Sequence, residues 1–204
     1  MKKPDLLTAV EPVVKAFEKL GVPYYIGGSV ASSAYGIARM TLDVDMVTVL
    51  APENVSSFVE MLKANYYISE EMILDAIQRK SSFNIIHLET MLKVDIFISK
   101  DRPYNNEVFR RKRKERLDDE QGSAEVFLAS SEDIILNKLD WYHLGGDISE
   151  QQWNDILGVI KVQSDLLDKK YLSHWATELG LSNLLAKAFR DAGLNSIDAG
   201  KQDK

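Results

Sequence analysis

Tyr24-Tyr25-Ile26-Gly27-Gly28-Ser29-Val30, with Leu42-Asp43-Val44-Asp45-Met46-Val47 further along, is the stretch that decides the fold. Tyr24–Ile26 reads as a short strand. Gly27-Gly28 makes a sharp turn, and Ser29 can cap a helix over Val30–Tyr35. Leu42–Leu50 is β-branched and apolar, interrupted only by two aspartates and a threonine. Strand side chains alternate, so Asp43 and Asp45 share one face, roughly 6.5–7 Å apart along the chain. Asp95 sits in a second such run, Val94-Asp95-Ile96-Phe97-Ile98. Aspartate is a poor strand former, and two carboxylates at that spacing repel by roughly 2–3 kcal/mol at an effective dielectric of about 20. The arrangement calls for a cation. A divalent metal satisfies it, and so do salt bridges to Lys93 or Arg39, or exposure at a strand end.

Working outward, residues 5–20 carry Leu6, Val10, Val13, Val14, Phe17 and Leu20 at helical spacing, stopped by Gly21 and Pro23. Helices are expected over 53–64 and 70–78. Phe83–Leu88 and Lys93–Ile98 read as two strands joined by a turn, and Glu125–Ala129 as another. Residues 104–117 fit no clear pattern, and Asp118–Ser123 reads as a polar turn. From Ser130 onward the periodicity is helical throughout. Ser130 with Asp133, and Ser149 with Gln152, resemble capping boxes. Further helices fit 168–179 and 182–192. Strands mixed with helices and followed by helices alone predict an α/β (α+β) domain over 1–129, with a mixed sheet of about five strands flanked by helices. A C-terminal helical bundle over 130–194 and a disordered tail over 195–204 complete the expected organisation.

Composition narrows the function classes. The 204 residues are 45% apolar and 27% charged, as in a soluble globular protein. A net charge of −6 argues against a general nucleic-acid coat protein, which needs a basic surface. The absence of cysteine excludes disulfides, zinc–thiolate sites and cysteine nucleophiles. The first residues do not read as a signal peptide and no run is long enough for a membrane span, so a cytoplasmic protein without a membrane partner is expected. One basic run stands out: Arg110–Arg116 holds six cations in seven residues. It suits either guidance of an anionic substrate or a charged edge strand that resists pairing.

Gly27-Gly28-Ser29, between strand and helix, suits an anion, because a helix N-terminus presents free N–H groups and Gly28 lets the backbone come close. Hard carboxylate oxygens suit Mg²⁺. In sum, a strand, Gly-Gly-Ser, a helix, Asp-x-Asp on a strand and a lone strand aspartate about fifty residues later resemble the DNA polymerase beta-type nucleotidyltransferase superfamily. The resemblance covers about residues 20–100. It implies the nucleotidyltransferase fold, with Gly27, Gly28 and Ser29 holding a nucleoside triphosphate. It also implies Mg²⁺ (or Mn²⁺) on Asp43, Asp45 and Asp95, with Asp95 helping to activate the attacking hydroxyl.

A narrower resemblance, to bacterial abortive-infection (type IV toxin–antitoxin) nucleotidyltransferase-like proteins, rests on Arg39-Met40-Thr41-Leu42-Asp43-Val44-Asp45 and on Ser131–Leu139. It adds Arg39 and Lys138 to the nucleotide-binding set, with Thr41 and Asp155 in support. The sequence departs from the toxin pattern at Asn154, where the toxins carry arginine. Lys138 also reads as a lysine whose stem lies on apolar surface. The implied activity is transfer of a nucleoside monophosphate from an NTP to a hydroxyl of a nucleic acid, protein or small molecule. The alternative is a non-catalytic nucleotide-binding or interaction module with a protein partner, within a toxin–antitoxin pair.

Overall fold

The computed structural model describes residues 5–41, 43–116 and 125–194. The polar turn expected at 118–123 and the tail expected at 195–204 lie outside the described residues. The chain divides into two compact units, Met1–Val30 with Met40–Ala129, and Ala31–Arg39 with Ser130–Lys204.

The first unit is built on a mixed sheet of seven strands. The strands are β1 (Tyr24–Ile26), β2 (Asp43–Thr48), β3 (Tyr66–Tyr67), β4 (Ser82–His87), β5 (Lys93–Ile98), β6 (Arg113–Arg116) and β7 (Glu125–Leu128), in the order β3-β4-β5-β2-β1-β7-β6. β2 runs parallel to β5 and β1 parallel to β7; the other pairs are antiparallel. Alternation sorts the two faces. Tyr24, Ile26, Val44, Met46, Val94, Ile96, Phe83 and Ile85 are buried, and the register puts them on one face. Helices α1 (Asp5–Lys19) and α3 (Pro52–Leu62) contribute Phe17 and Phe58, whose rings stack at 4.8 Å; Phe17 also stacks on Tyr24 at 5.6 Å. The Tyr66 hydroxyl donates to the Ala9 carbonyl at 2.8 Å, tying the edge strand to α1. The acids fall on the other face.

Seven strands exceed the expected five because two are short and weakly patterned. β3 has two residues and β6 is wholly charged. The unplaced segment 104–117 resolves into helix α5 (Pro103–Arg111), opened by proline, and the edge strand β6. The basic run therefore spans a helix end and a charged sheet edge. Lys114 pairs with Glu125 at 2.8 Å and Arg110 with Glu107 at 2.8 Å. Lys112 turns inward: burial lowers its pKa, its ammonium lies 4.3 Å from the Phe127 ring centroid, and it donates to the Tyr24 carbonyl at 3.3 Å.

In the second unit, helices α6 (Ser131–Leu144), α7 (Glu150–Gln163), α8 (Lys169–Glu178) and α9 (Ser182–Asp191) pack around Ile135, Leu139, Ile156, Ile160, Leu172 and Phe189. The serine half of each expected capping box forms: Ser130 Oγ accepts from the Asp133 N–H at 3.2 Å, and Ser149 Oγ from the Gln152 N–H at 3.3 Å, but among the described residues Gln152 Oε1 makes no return bond and Asp133 Oδ2 accepts from the Ser130 hydroxyl. Residues 31–39 group with this unit rather than with the sheet. The Gln163 amide donates to the Tyr35 carbonyl at 2.8 Å. Gly36 lies so close to α7 that an added Cβ would be 2.8 Å from the Val159 nitrogen.

Phe17 is fully buried between two rings. Phe17→Ala should therefore cost about 3–5 kcal/mol, the usual range for such a truncation. Urea unfolding measures it; a loss below about 1 kcal/mol would show that the stack does not hold α1 to the sheet.

Candidate functional site

Asp43 and Asp45 project from β2 on the face opposite the core, 55% exposed in the case of Asp43. Thr41 starts the strand: its hydroxyl donates to the Asp43 carbonyl at 3.0 Å. Asp95 is brought alongside by parallel pairing, since Asp45 and Asp95 are register partners and Asp43 pairs with Lys93. Adjacent strands lie about 4.8 Å apart, so the fifty residues between the acids are closed by one backbone ladder. Asn84 on β4 is the register partner of Asp95, and the Gly27 N–H donates to the Asp45 carbonyl at 2.9 Å. Asn84, Asp95, Asp45 and Gly27 thus form one row across β4, β5, β2 and the turn that follows β1.

The glycine turn leads straight into helix α2 (Gly28–Tyr35), which starts at Gly28, one residue before the serine expected to cap it. Ser29 therefore lies in the first turn. Gly28 has φ +53°, a conformation that glycine adopts at little cost. Its missing side chain has a second use: a Cβ there would lie 1.8 Å from Asp45 Oδ2. The turn and Asp45 are packed as one piece.

A cation already stands among these acids. Lys93 Nζ is 2.8 Å from Asp95 Oδ2 and 3.9 Å from Asp43 Oδ1. The hydrogen bond to Asp95 raises the Lys93 pKa; slight burial opposes this, and the charges of Asp95, Asp43 and Asp45 add to the rise. All three aspartates therefore act on one ammonium. Among the described residues no three acidic, histidine or cysteine side chains close on a single point. The strand face nevertheless carries three hard oxygen donors beside one resident cation, and this donor set fits Mg²⁺ in its chemistry.

The second unit holds a different cluster. Arg39 grips Asp155 with two bonds, Nε to Oδ1 at 3.0 Å and Nη2 to Oδ2 at 3.2 Å. Lys138 donates to Oδ2 at 2.8 Å. The Asp155 side chain is 7% exposed and that of Lys138 10%. Burial would raise the Asp155 pKa; the hydrogen bonds and charges of Arg39 and Lys138 overcome that and hold it below the ordinary aspartate value.

No protein-family model and no characterised sequence matches the chain. Solved structures do. The crystal structure of ANT(2″)-Ia in complex with adenylyl-2″-tobramycin superposes with a TM-score of 0.58 at 13% identity, over 87% of this chain and 98% of that one. An antigenic nucleotidyltransferase-like protein from Paracoccidioides brasiliensis gives 0.53 at 15% identity, over 91% and 92%. The solution structure of ANT(2″)-Ia gives 0.53 at 14%, over 86% and 93%. The chain has the nucleotidyltransferase fold. Within the described residues of this nucleotidyltransferase fold, no helix is long and apolar enough to cross a membrane.

Of the sequence-expected residues, the sheet unit brings Gly27, Gly28, Asp43, Asp45 and Asp95 into one neighbourhood, and the helical unit joins Arg39, Lys138 and Asp155. Sequence reasoning missed Asn84, whose only signal was a polar residue inside an apolar strand. It named Lys93 only as a salt-bridge partner.

Asp155→Ala strands two cations near each other, one of them buried. Removing one partner of a buried pair costs about 3–5 kcal/mol, and the lower end applies because the Arg39 side chain is 29% exposed. The depressed Asp155 pKa means that its contribution is complete above the unfolded aspartate value of about 3.9 and is lost as pH falls through the lower folded value. The stability gap between native protein and variant should stay constant from pH 7 to 5 and begin to close below about pH 4. Denaturant titrations across that range measure it; a gap unchanged at pH 3 would contradict the ion-pair account.

Proposed function

We propose that this protein transfers a nucleoside monophosphate from a nucleoside triphosphate to a hydroxyl, with release of pyrophosphate, in a Mg²⁺-dependent (or Mn²⁺-dependent) reaction. The observation that carries this reading is the row Asn84–Asp95–Asp45–Gly27, which sets two strand carboxylates, with Asp43 two residues away on the same strand face, beside the N-terminal turn of a helix. The fold likeness supports it, as does adenylyl-2″-tobramycin in the ANT(2″)-Ia complex.

The chain's own residues then take these roles. Gly28 and Ser29 present backbone N–H groups and a hydroxyl to the triphosphate at the positive end of α2, and Gly27, whose N–H is bonded to the Asp45 carbonyl, shapes the turn that brings them there. Asp43, Asp45 and Asp95 would hold the metal, which supplies charge stabilisation at the reacting phosphate and at the leaving oxygen. Asp95, 22% exposed, accepts the proton of the acceptor hydroxyl. That oxygen bonds to the α-phosphorus, the bond from that phosphorus to the bridging oxygen breaks, and pyrophosphate leaves. Catalysis is mainly positioning and charge, as in phosphoryl transfer generally. Within the helical unit, Arg39 and Lys138 set two cations against the single carboxylate of Asp155, a charge arrangement that suits a nucleotide's phosphates. Thr41 and Asp155 support the two clusters. The same geometry without turnover would make a nucleotide-binding module. The Lys93 ammonium on Asp95 is the observation that favours that second reading.

Two measurements test the proposal. Mg²⁺ at a hundred times its Kd should stabilise the fold by about 2.7 kcal/mol. Asp45→Asn should remove most of that response while barely harming metal-free stability. α-³²P-labelled nucleoside triphosphates incubated with cell extract and the protein should label an acceptor, whose digestion by nuclease or protease, or passage through a small-pore filter, reports its class. Asp95→Asn should lower that labelling about 100-fold or more, the scale of losing one pre-organised charge contact. A metal response without labelling by any nucleotide would leave the non-catalytic module.

A further inference from the structure

The two acidic clusters of this chain are compensated in opposite ways. Asp155 is buried and held bidentately by a planar guanidinium, with a lysine on the same oxygen pair. Such a contact is fixed by its geometry. The strand acids are less buried, Asp43 exposed and Asp45 and Asp95 partly so, and their cation is a flexible point charge. The Lys93 side chain is 40% exposed, Asp43 55% and Asp95 22%. Lys93 is the first residue of β5, so its four-carbon stem has solvent on one side.

We infer that Lys93 is a resident counter-cation, which holds the place of the metal on Asp95 and Asp43 in the unloaded protein and swings off when a divalent ion binds. This rests on the reading of Asp43, Asp45 and Asp95 as metal ligands. Metal loading is then an exchange of one cation for another at Asp95. Three carboxylates and one ammonium leave two negative charges, which one divalent ion neutralises. The unloaded face is spared the repulsion of three bare acids, and apparent metal affinity is lowered by the competition.

The exchange has a chemical consequence at Asp95. While Lys93 donates to Asp95 Oδ2 at 2.8 Å, that oxygen cannot accept a proton from an acceptor hydroxyl at the same place. The unloaded protein is therefore held out of the reaction by its own lysine, and only once Lys93 has left can Asp95 offer one oxygen to the metal and the other to the acceptor proton.

The test uses the full chain without nucleotide. Lys93→Met keeps a stem of similar length and removes the charge, and Lys93→Gln removes the charge on a shorter polar side chain. Mn²⁺ titration by calorimetry should show both variants binding about tenfold more tightly than the native protein, given the loss of a unit charge within a few ångströms of the ligands and its partial screening. Their metal-free melting temperatures should fall, and melting at saturating Mn²⁺ should converge with the native value. In the native protein, the ¹⁵N–¹H signal of the hydrogen-bonded Lys93 ammonium, assigned by its absence in Lys93→Met, should vanish on Mg²⁺ addition. Native binding with unchanged or weaker affinity in both variants, or an ammonium signal that persists through loading, overturns the exchange and leaves the metal reading standing. Absence of Mn²⁺ binding at millimolar concentration in the native protein and both variants overturns the metal reading and this inference together.

Discussion

The parallel pairing of β2 with β5 is the constraint on which the rest depends. Strand register is set by side-chain alternation, and a slip by one residue would turn every side chain to the wrong face. Here Val44 and Met46 on β2, and Val94 and Ile96 on β5, are fully buried. Each is worth about 1.5–3 kcal/mol of burial. Together they outweigh the roughly 2–3 kcal/mol by which neighbouring strand carboxylates repel. The apolar core therefore decides the register, and Asp45 is set beside Asp95 as a consequence. Electrostatic demand on that face follows from hydrophobic packing on the other. A cation requirement is written into the strand ladder before any ligand arrives.

That demand explains two features which look unrelated in the chain. Gly28 adopts positive φ and leaves the space that the Asp45 carboxylate fills. A side chain there would displace an acid, so the glycine serves the carboxylate and the sharp turn into α2 at once. Lys93, fifty residues beyond Asp43, is its register partner and brings the compensating charge. Both depend on backbone pairing, and neither needs a long loop to hold it.

Legibility in the sequence followed the range of the interactions. Local signals were readable: the period of α1, the serine caps of α6 and α7, the Gly-Gly-Ser turn and the apolar runs around Asp43, Asp45 and Asp95. The start of α2 was misread by two residues because a glycine with positive φ can open the helix ahead of the serine expected to cap it. β3 and β6 were missed because their pairing partners, not their own residues, make them strands; Arg113–Arg116 has no apolar alternation at all. Residues 31–39 were assigned to the sheet by position in the chain. Arg39 on Asp155 and Tyr35 on Gln163 tie them to helices more than a hundred residues away, and nothing local announces that. Asn84 was invisible for the same reason: its meaning lies in the register with Asp95.

The two ion clusters show how burial sorts similar residues into different work. A buried carboxylate deprived of its partners is costly, so Asp155 requires both Arg39 and Lys138 at all times. An exposed carboxylate pays far less, because water screens it. Asp43 and Asp95 can therefore change partners without threatening the fold, and exchange of cations becomes affordable only on that face. Charge bookkeeping then limits what a single exchange can do. One divalent ion balances the strand acids with Lys93 still attached to the chain nearby, and a triphosphate adds negative charge beyond that balance. Lys93 is already counted in that balance, so the further positive charge has to arrive with the nucleotide. Under the proposed exchange the ammonium stays tethered beside the ligands by its own stem, so the balance holds while the metal takes its place.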